Sequence, residues 1–199
     1  MQLHFLDRKS YKTIHYSDHL ESLTRPFQPA YIIPEGGSNS LAVDSCAEYI
    51  QRTANDYDIV CCACGTGGTM AGFIKGLKGS KTVIGFPALK GADFLNKEIR
   101  QFLSDNANSK DYENWSLITD YHFGGYAKSN RQLEDFIVEF YNQHSIILEP
   151  VYTGKMMFAL YDLIKKGYFK KSSRILAIHT GGLQGLSGFT ELKQRLALE

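Results

Sequence analysis

The residues with the clearest chemical potential are Cys64-Gly65-Thr66-Gly67-Gly68-Thr69-Met70-Ala71-Gly72. They follow an apolar run and open an amphipathic one, the setting of a strand–loop–helix. Glycines let backbone amides approach a phosphate without Cβ interference, Thr66 and Thr69 offer hydroxyls, and a helix N-terminus adds unpaired N–H groups and a positive dipole end. There is no lysine-threonine ending, which disfavours triphosphate hydrolysis, and Met70 stands where GxGxxG needs its third glycine. A single phosphate monoester fits better than a dinucleotide. A tight strand–helix turn would need the same glycines. A second glycine turn, His179-Thr180-Gly181-Gly182-Leu183, brings backbone and the Thr180 hydroxyl to another strand end; Gly181 lets a flat ligand approach. Leu148-Glu149-Pro150-Val151-Tyr152-Thr153-Gly154-Lys155 puts Tyr152 at a helix start, where a phenol can donate or accept a proton. Pro150 keeps Glu149 out of helix geometry, and Thr153 reads as the N-cap. In Pro34-Glu35-Gly36-Gly37-Ser38-Asn39, Ser38 or Asn39 reads as another cap.

The elements that must position these loops alternate. Strands are expected at 2–6, 30–33, 59–63, 82–86, 115–119 and 174–179. Helices are expected at 40–57, 69–77, 92–104, 130–141 and 153–166. Short apolar strands separated by such helices predict an α/β fold with a mostly parallel sheet. The run Ile59-Val60-Cys61-Cys62-Ala63 is apolar on both faces, as a central parallel strand is. Ligands of such sheets bind beyond the carboxyl ends of the strands, where the glycine turns lie.

Composition is that of a globular domain: 199 residues, 43% hydrophobic, 22% charged and a net charge of +1. There is no basic run to suggest a nucleic-acid partner, and no stretch reaches the apolar length of a membrane span. Cys61, Cys62 and Cys64 lack zinc-ligand spacing, and strand neighbours face opposite ways. No metal site is expected. Reduced cysteines and the lack of a signal-like start suit a cytoplasmic location.

Taken in order, the segments 34–39, 65–72, Phe86-Pro87-Ala88-Leu89-Lys90-Gly91, 123–128, 149–155 and 179–183 resemble the 1-aminocyclopropane-1-carboxylate deaminase / D-cysteine desulfhydrase family. That resemblance implies a fold-type II pyridoxal-phosphate enzyme acting on a small amino acid, homodimeric at full length, with its cofactor between a small and a large domain. Residues 1–33 would end the small domain, and 34–199 would form the carboxyl-terminal part of the large one. Thr66, Gly67, Gly68 and Thr69 would hold the cofactor phosphate. Tyr152 would lie against its ring as the proton-transfer or nucleophile residue. The deaminases carry glutamate at the next position, facing the pyridine nitrogen; this chain has Thr153, which resembles the desulfhydrase side. Thr180 is a second candidate for that nitrogen. A second deaminase tyrosine falls on Gly124, two residues before Tyr126. The family's Schiff-base lysine belongs to an earlier Asn-Lys-x-Arg-Lys-like stretch, and Lys75, Lys90 and Lys155 do not match its setting. The expectation is a truncated chain with no turnover of its own and an exposed sheet edge. The alternative is a non-catalytic remnant that binds phosphate or a partner.

Overall fold

A computed structural model describes residues 3–13, 17–53, 56–104 and 112–198. The chain divides into two compact units, Met1–Ile33 and Pro34–Glu199.

The first unit holds two short helices, α1 (Arg8–Thr13) and α2 (Ser17–Thr24), and a 3-10 turn at Arg25–Phe27. Asp7 caps α1, accepting from the N–H groups of Lys9 and Ser10 at 2.8 and 3.1 Å. The strands expected at 2–6 and 30–33 do not form among the described residues; Gln2 lies outside them. Alternating apolar residues become a strand only when a neighbouring backbone takes up their N–H and C=O groups. Among the described residues neither segment has a strand partner, and Phe5, Tyr31 and Ile33 stay exposed.

The second unit is α/β. Its four strands are β1 (Ile59–Cys64), β2 (Thr82–Pro87), β3 (Trp115–Leu117) and β4 (Ile175–Ile178). Its helices are α3 (Ser40–Arg52), α4 (Gly68–Leu77), α5 (Leu95–Ser104), α6 (Arg131–His144), α7 (Thr153–Lys165) and α8 (Thr190–Arg195). The strands form one parallel sheet in the order β3-β2-β1-β4, with Cys61 opposite Ile84 on one side and Ala177 on the other. From β1 the chain moves outward through β2 to β3, then returns to add β4 on β1's far side. The strand order therefore reverses beside β1, and the crevice at such a reversal is where open α/β sheets bind ligands.

Both faces of β1 are buried, as its unbroken apolar run required. Val60, Cys62 and Cys64 pack with Val43, Phe73, Ile74 and Leu95 from α3, α4 and α5. Cys61 points the other way, toward Met156, Ala159 and Leu160 of α7. Burial pushes the Cys61 thiol up to about 12, so it stays an inert apolar side chain. A third cluster joins α6, α7 and α8 through Leu133, Ile137, Phe140 and Leu192.

Helix α3 ends at Arg52, short of the expected 57. Thr53 turns extended, and Tyr57 reaches the core from the lead-in to β1 instead. At 92–104 the chain opens with a 3-10 turn, Ala92–Phe94, before α5. Helices α1, α2 and α8 were not expected; they are too short to show a full apolar period.

Candidate active site

Loop 65–67 leaves β1 at its carboxyl end and enters α4. Gly67 has φ +87°, a left-handed conformation that a side chain would strain, and a Cβ there would lie 2.9 Å from Ile99 Cγ1. A Cβ on Gly68 would lie 2.6 Å from Ser38 Oγ, and one on Gly65 3.2 Å from the Tyr152 hydroxyl. The glycines thus hold a cradle that side chains would fill. The first N–H groups of α4 have no partner within the helix and face this end.

The cradle opens into a cavity of about 610 Å³. Thr66, Gly67, Gly68, Thr69, Tyr152 and Thr180 line it together, although they come from three separate segments. Thr153 and Gly181 do not line it. Thr153 is fully buried, and its hydroxyl donates to Glu149 Oε1 at 3.1 Å and accepts from the Glu149 N–H at 3.2 Å. Gly181 donates its N–H to His179 Nδ1 at 3.1 Å, while His179 Nε2 bonds the Ile147 carbonyl at 2.9 Å. Both ring nitrogens of His179 are thereby committed to backbone.

Tyr152 is the N-cap residue of α7, in place of the expected Thr153, and its side chain makes no capping bond. The cap is Glu149. Its buried carboxylate accepts from the N–H groups of Val151, Tyr152 and Thr153 at 2.6, 2.8 and 2.6 Å. An anion there also meets the positive end of the helix dipole. The consequence reaches the cavity, because the cap fixes the backbone from which the Tyr152 side chain projects. The phenol packs against Tyr126, ring centroids 5.9 Å apart. Burial, then the hydrogen bond to Tyr126 and the nearby charges, push its pKa well above the ordinary tyrosine value, so at neutral pH it is a protonated donor.

Lys155 was not among the expected site residues. Its side chain is 2% exposed, and its ammonium donates to the carbonyls of Gly125 at 2.7 Å and Ala88 at 3.3 Å. It ties together the loops that carry Tyr126 and Leu89 to the cavity wall. Burial lowers its pKa to about 8, partly offset by Glu149. Glu35, Ser38 and Cys46 also line the cavity and were not foreseen as site residues. In sequence, Ser38 had been legible only as a helix cap.

The cradle has the size and chemistry for a flat phosphate monoester such as pyridoxal phosphate: Thr66 to Thr69 and the α4 N-terminus could hold the phosphate, with Tyr152 and Thr180 lining the wider cavity. Comparison with known proteins points to the same cofactor class. The profile of the family described as pyridoxal-phosphate dependent enzyme matches residues 4–181. A Pyrococcus furiosus protein, provisionally named a 1-aminocyclopropane-1-carboxylate deaminase, is 30% identical over 192 residues, covering 89% of this chain and 58% of its own. The D-cysteine desulfhydrase of Klebsiella pneumoniae is 33% identical over 171 residues, covering 80% and 52%. The crystal structure of an ACC deaminase homologue superposes with a TM-score of 0.81 at 27% identity, covering 96% of this chain and 62% of that one. The chain thus spans a little over half the length of the curated relatives it matches.

Proposed function

The chain belongs to the family of pyridoxal-phosphate dependent enzymes, and from that premise we propose that it is the cofactor-phosphate and proton-transfer portion of an enzyme that deaminates or desulfhydrates a small amino acid. In this reading residues 1–33 end a small domain and 34–199 belong to the large one. The observation that carries it is the Tyr152 phenol lying over Gly65, the first residue of the phosphate cradle. A proton donor is thereby held beside the place where a phosphate-anchored ring would sit.

When bound, pyridoxal phosphate supplies an electron sink for negative charge at the substrate's α carbon. The chain's own groups do the rest. Thr66, Thr69 and the α4 amides would hold the phosphate, Thr180 would be the neighbour of the ring nitrogen, and Tyr152 would move a proton. Thr153 is bonded to Glu149 and does not line the cavity, so the ring nitrogen would meet the neutral hydroxyl of Thr180. A neutral partner leaves the sink weaker, which suits loss of a good β-leaving group from D-cysteine better than cyclopropane ring opening.

A second reading, a phosphate-binding chain without turnover of its own, is favoured by one observation. Among the described residues that line the cavity none is a lysine, and the Lys155 amine is engaged by two carbonyls. Incubation of the chain with pyridoxal phosphate, borohydride reduction and peptide mass mapping separate the two, run beside sulfide and α-ketobutyrate assays. No stoichiometrically modified lysine and no turnover are expected for these 199 residues. One fully modified lysine with sulfide release from D-cysteine would overturn the inactive reading, and dominant α-ketobutyrate would overturn the preference for D-cysteine.

A further inference from the structure

The phosphate cradle has a second wall from outside its own loop. Gly68, Gly72 and Gly76 recur every four residues and so lie along one side of α4. Cβ atoms built on them would stand 2.6 Å from Ser38 Oγ, 2.3 Å from Cys46 Cβ and 2.5 Å from the Ala47 carbonyl oxygen. These partners follow the same order, from Ser38 just before α3 to Cys46 and Ala47 within it. The two helices therefore run side by side in one direction, and their N-termini meet at the carboxyl end of β1.

At that meeting point Asn39 caps α3, its side chain accepting from the Ala42 N–H at 2.9 Å. The Ser38 hydroxyl is spared that duty. It hydrogen-bonds the Thr66 hydroxyl and lines the same cavity. Gly36 makes this approach possible, since a Cβ there would lie 2.7 Å from Thr66 Oγ1.

We propose that Ser38 is a phosphate-binding residue of this site, which completes the cradle from the α3 side and orients the Thr66 hydroxyl. This rests on the reading that loop 65–69 takes the cofactor phosphate. A hydroxyl that serves only to pack would be indifferent to the ligand's charge. One that meets a phosphate contributes a charge-assisted hydrogen bond, and its loss is expected to weaken binding roughly 10- to 100-fold.

The test compares pyridoxal phosphate with pyridoxal, which lacks the phosphate, by equilibrium absorbance titration of the whole chain. It also measures the thermal upshift given by inorganic phosphate. Ser38→Ala is expected to weaken pyridoxal phosphate by the stated factor, to leave pyridoxal within about twofold and to remove most of the phosphate upshift. Ser38→Thr, which keeps the hydroxyl, is expected to restore both. Equal losses for the two ligands, or failure of the threonine variant to rescue, would reduce Ser38 to a packing residue. Thr66→Val separates the two levels. If it lowers phosphate selectivity and Ser38→Ala does not, only the Ser38 assignment falls. If neither does, the phosphate loop itself has been misassigned.

Discussion

Glu149 Oε1 accepts hydrogen bonds from both the backbone N–H and the hydroxyl of Thr153, at 2.6 and 3.1 Å. With the bonds from Val151 and Tyr152, one buried carboxylate takes up three consecutive backbone N–H groups leading into α7. Glu149→Ala would strand three backbone donors in a dry site. Buried donors without partners cost about 1–3 kcal/mol each, with partial relief from relaxation, so a loss of about 3 kcal/mol or more is expected in urea denaturation. Glu149→Gln keeps one acceptor and is expected to cost about half as much. Equal stability of wild type and the alanine variant would show that water replaces the carboxylate.

Lys155 makes stability depend on pH in a defined direction. Below about 8 it is protonated both folded and unfolded, and the folded protein bears the cost of burying the charge. Between about 8 and the ordinary 10.5 only the unfolded chain holds the proton, so the contribution of Lys155 to stability rises with pH. The displacement corresponds to about 3 kcal/mol at most. Above pH 9 the raised thiols of Cys61 and Cys62, and above pH 10 the raised phenol of Tyr152, act the other way, because the folded groups keep protons that the unfolded ones lose. Denaturation at pH 7, 7.5, 8, 8.5 and 9, below the range where the buried thiols act, should show the rise, and Lys155→Met should abolish it. A flat profile in wild type would mean that water reaches the amine.

What could be read in advance divides along physical lines. The strands β1 and β2 were legible because a doubly buried parallel strand needs an unbroken apolar run, and Ile59 to Cys64 supplies one. The turn at 65–68 was legible because only glycine tolerates the left-handed backbone of Gly67 and the close approach of neighbours at Gly65 and Gly68. Residues 3–6 misled because alternation shows which residues share a side, not whether a partner strand exists. Ser38 and Lys155 were not legible as wall-builders. Their roles depend on contacts 28 and 30 or more residues away in sequence, and neither pattern nor propensity encodes those. Thr153 misled because the threonine at a helix start was taken for its cap. The carboxylate four residues earlier does the capping and draws the hydroxyl inward.

Tyr152 should be separable into binding and proton-transfer roles. Tyr152→Phe keeps the ring over Gly65 and removes only the hydroxyl. In a form of the protein that turns over substrate, kcat is expected to fall 10²- to 10⁴-fold, the usual range for a lost general acid or base. Pyridoxal phosphate affinity should change little. In the chain alone, ultraviolet titration should show Tyr152 as the last of several raised tyrosines to ionise, above Tyr57 and Tyr121, and that last step should vanish in the phenylalanine variant. A variant that keeps full kcat would remove Tyr152 from the chemistry.

Gly72 sets helix propensity against close packing. In an exposed helix, replacing glycine with alanine gains about 1 kcal/mol. Here a Cβ would stand 2.3 Å from Cys46 Cβ and 2.7 Å from the Val43 carbonyl oxygen, and the second of these is backbone that cannot rotate away. Overpacking of a tight interface costs about 1–3 kcal/mol, so Gly72→Ala should be destabilising on balance, by up to about 2 kcal/mol. Because Gly72 lies on the stripe that aligns α3 with α4, the displaced helix would carry Ser38 away from Thr66. The variant should therefore bind pyridoxal phosphate more weakly than its stability loss alone accounts for. Gly167→Ala is the control: it is also glycine, at φ +71°, but nothing lies within 4 Å of its added Cβ and it is remote from the cavity. It should lose stability through backbone strain of about 1–2 kcal/mol and keep its ligand affinity. If the two variants lose affinity alike, the alignment of α3 on α4 does not control the site.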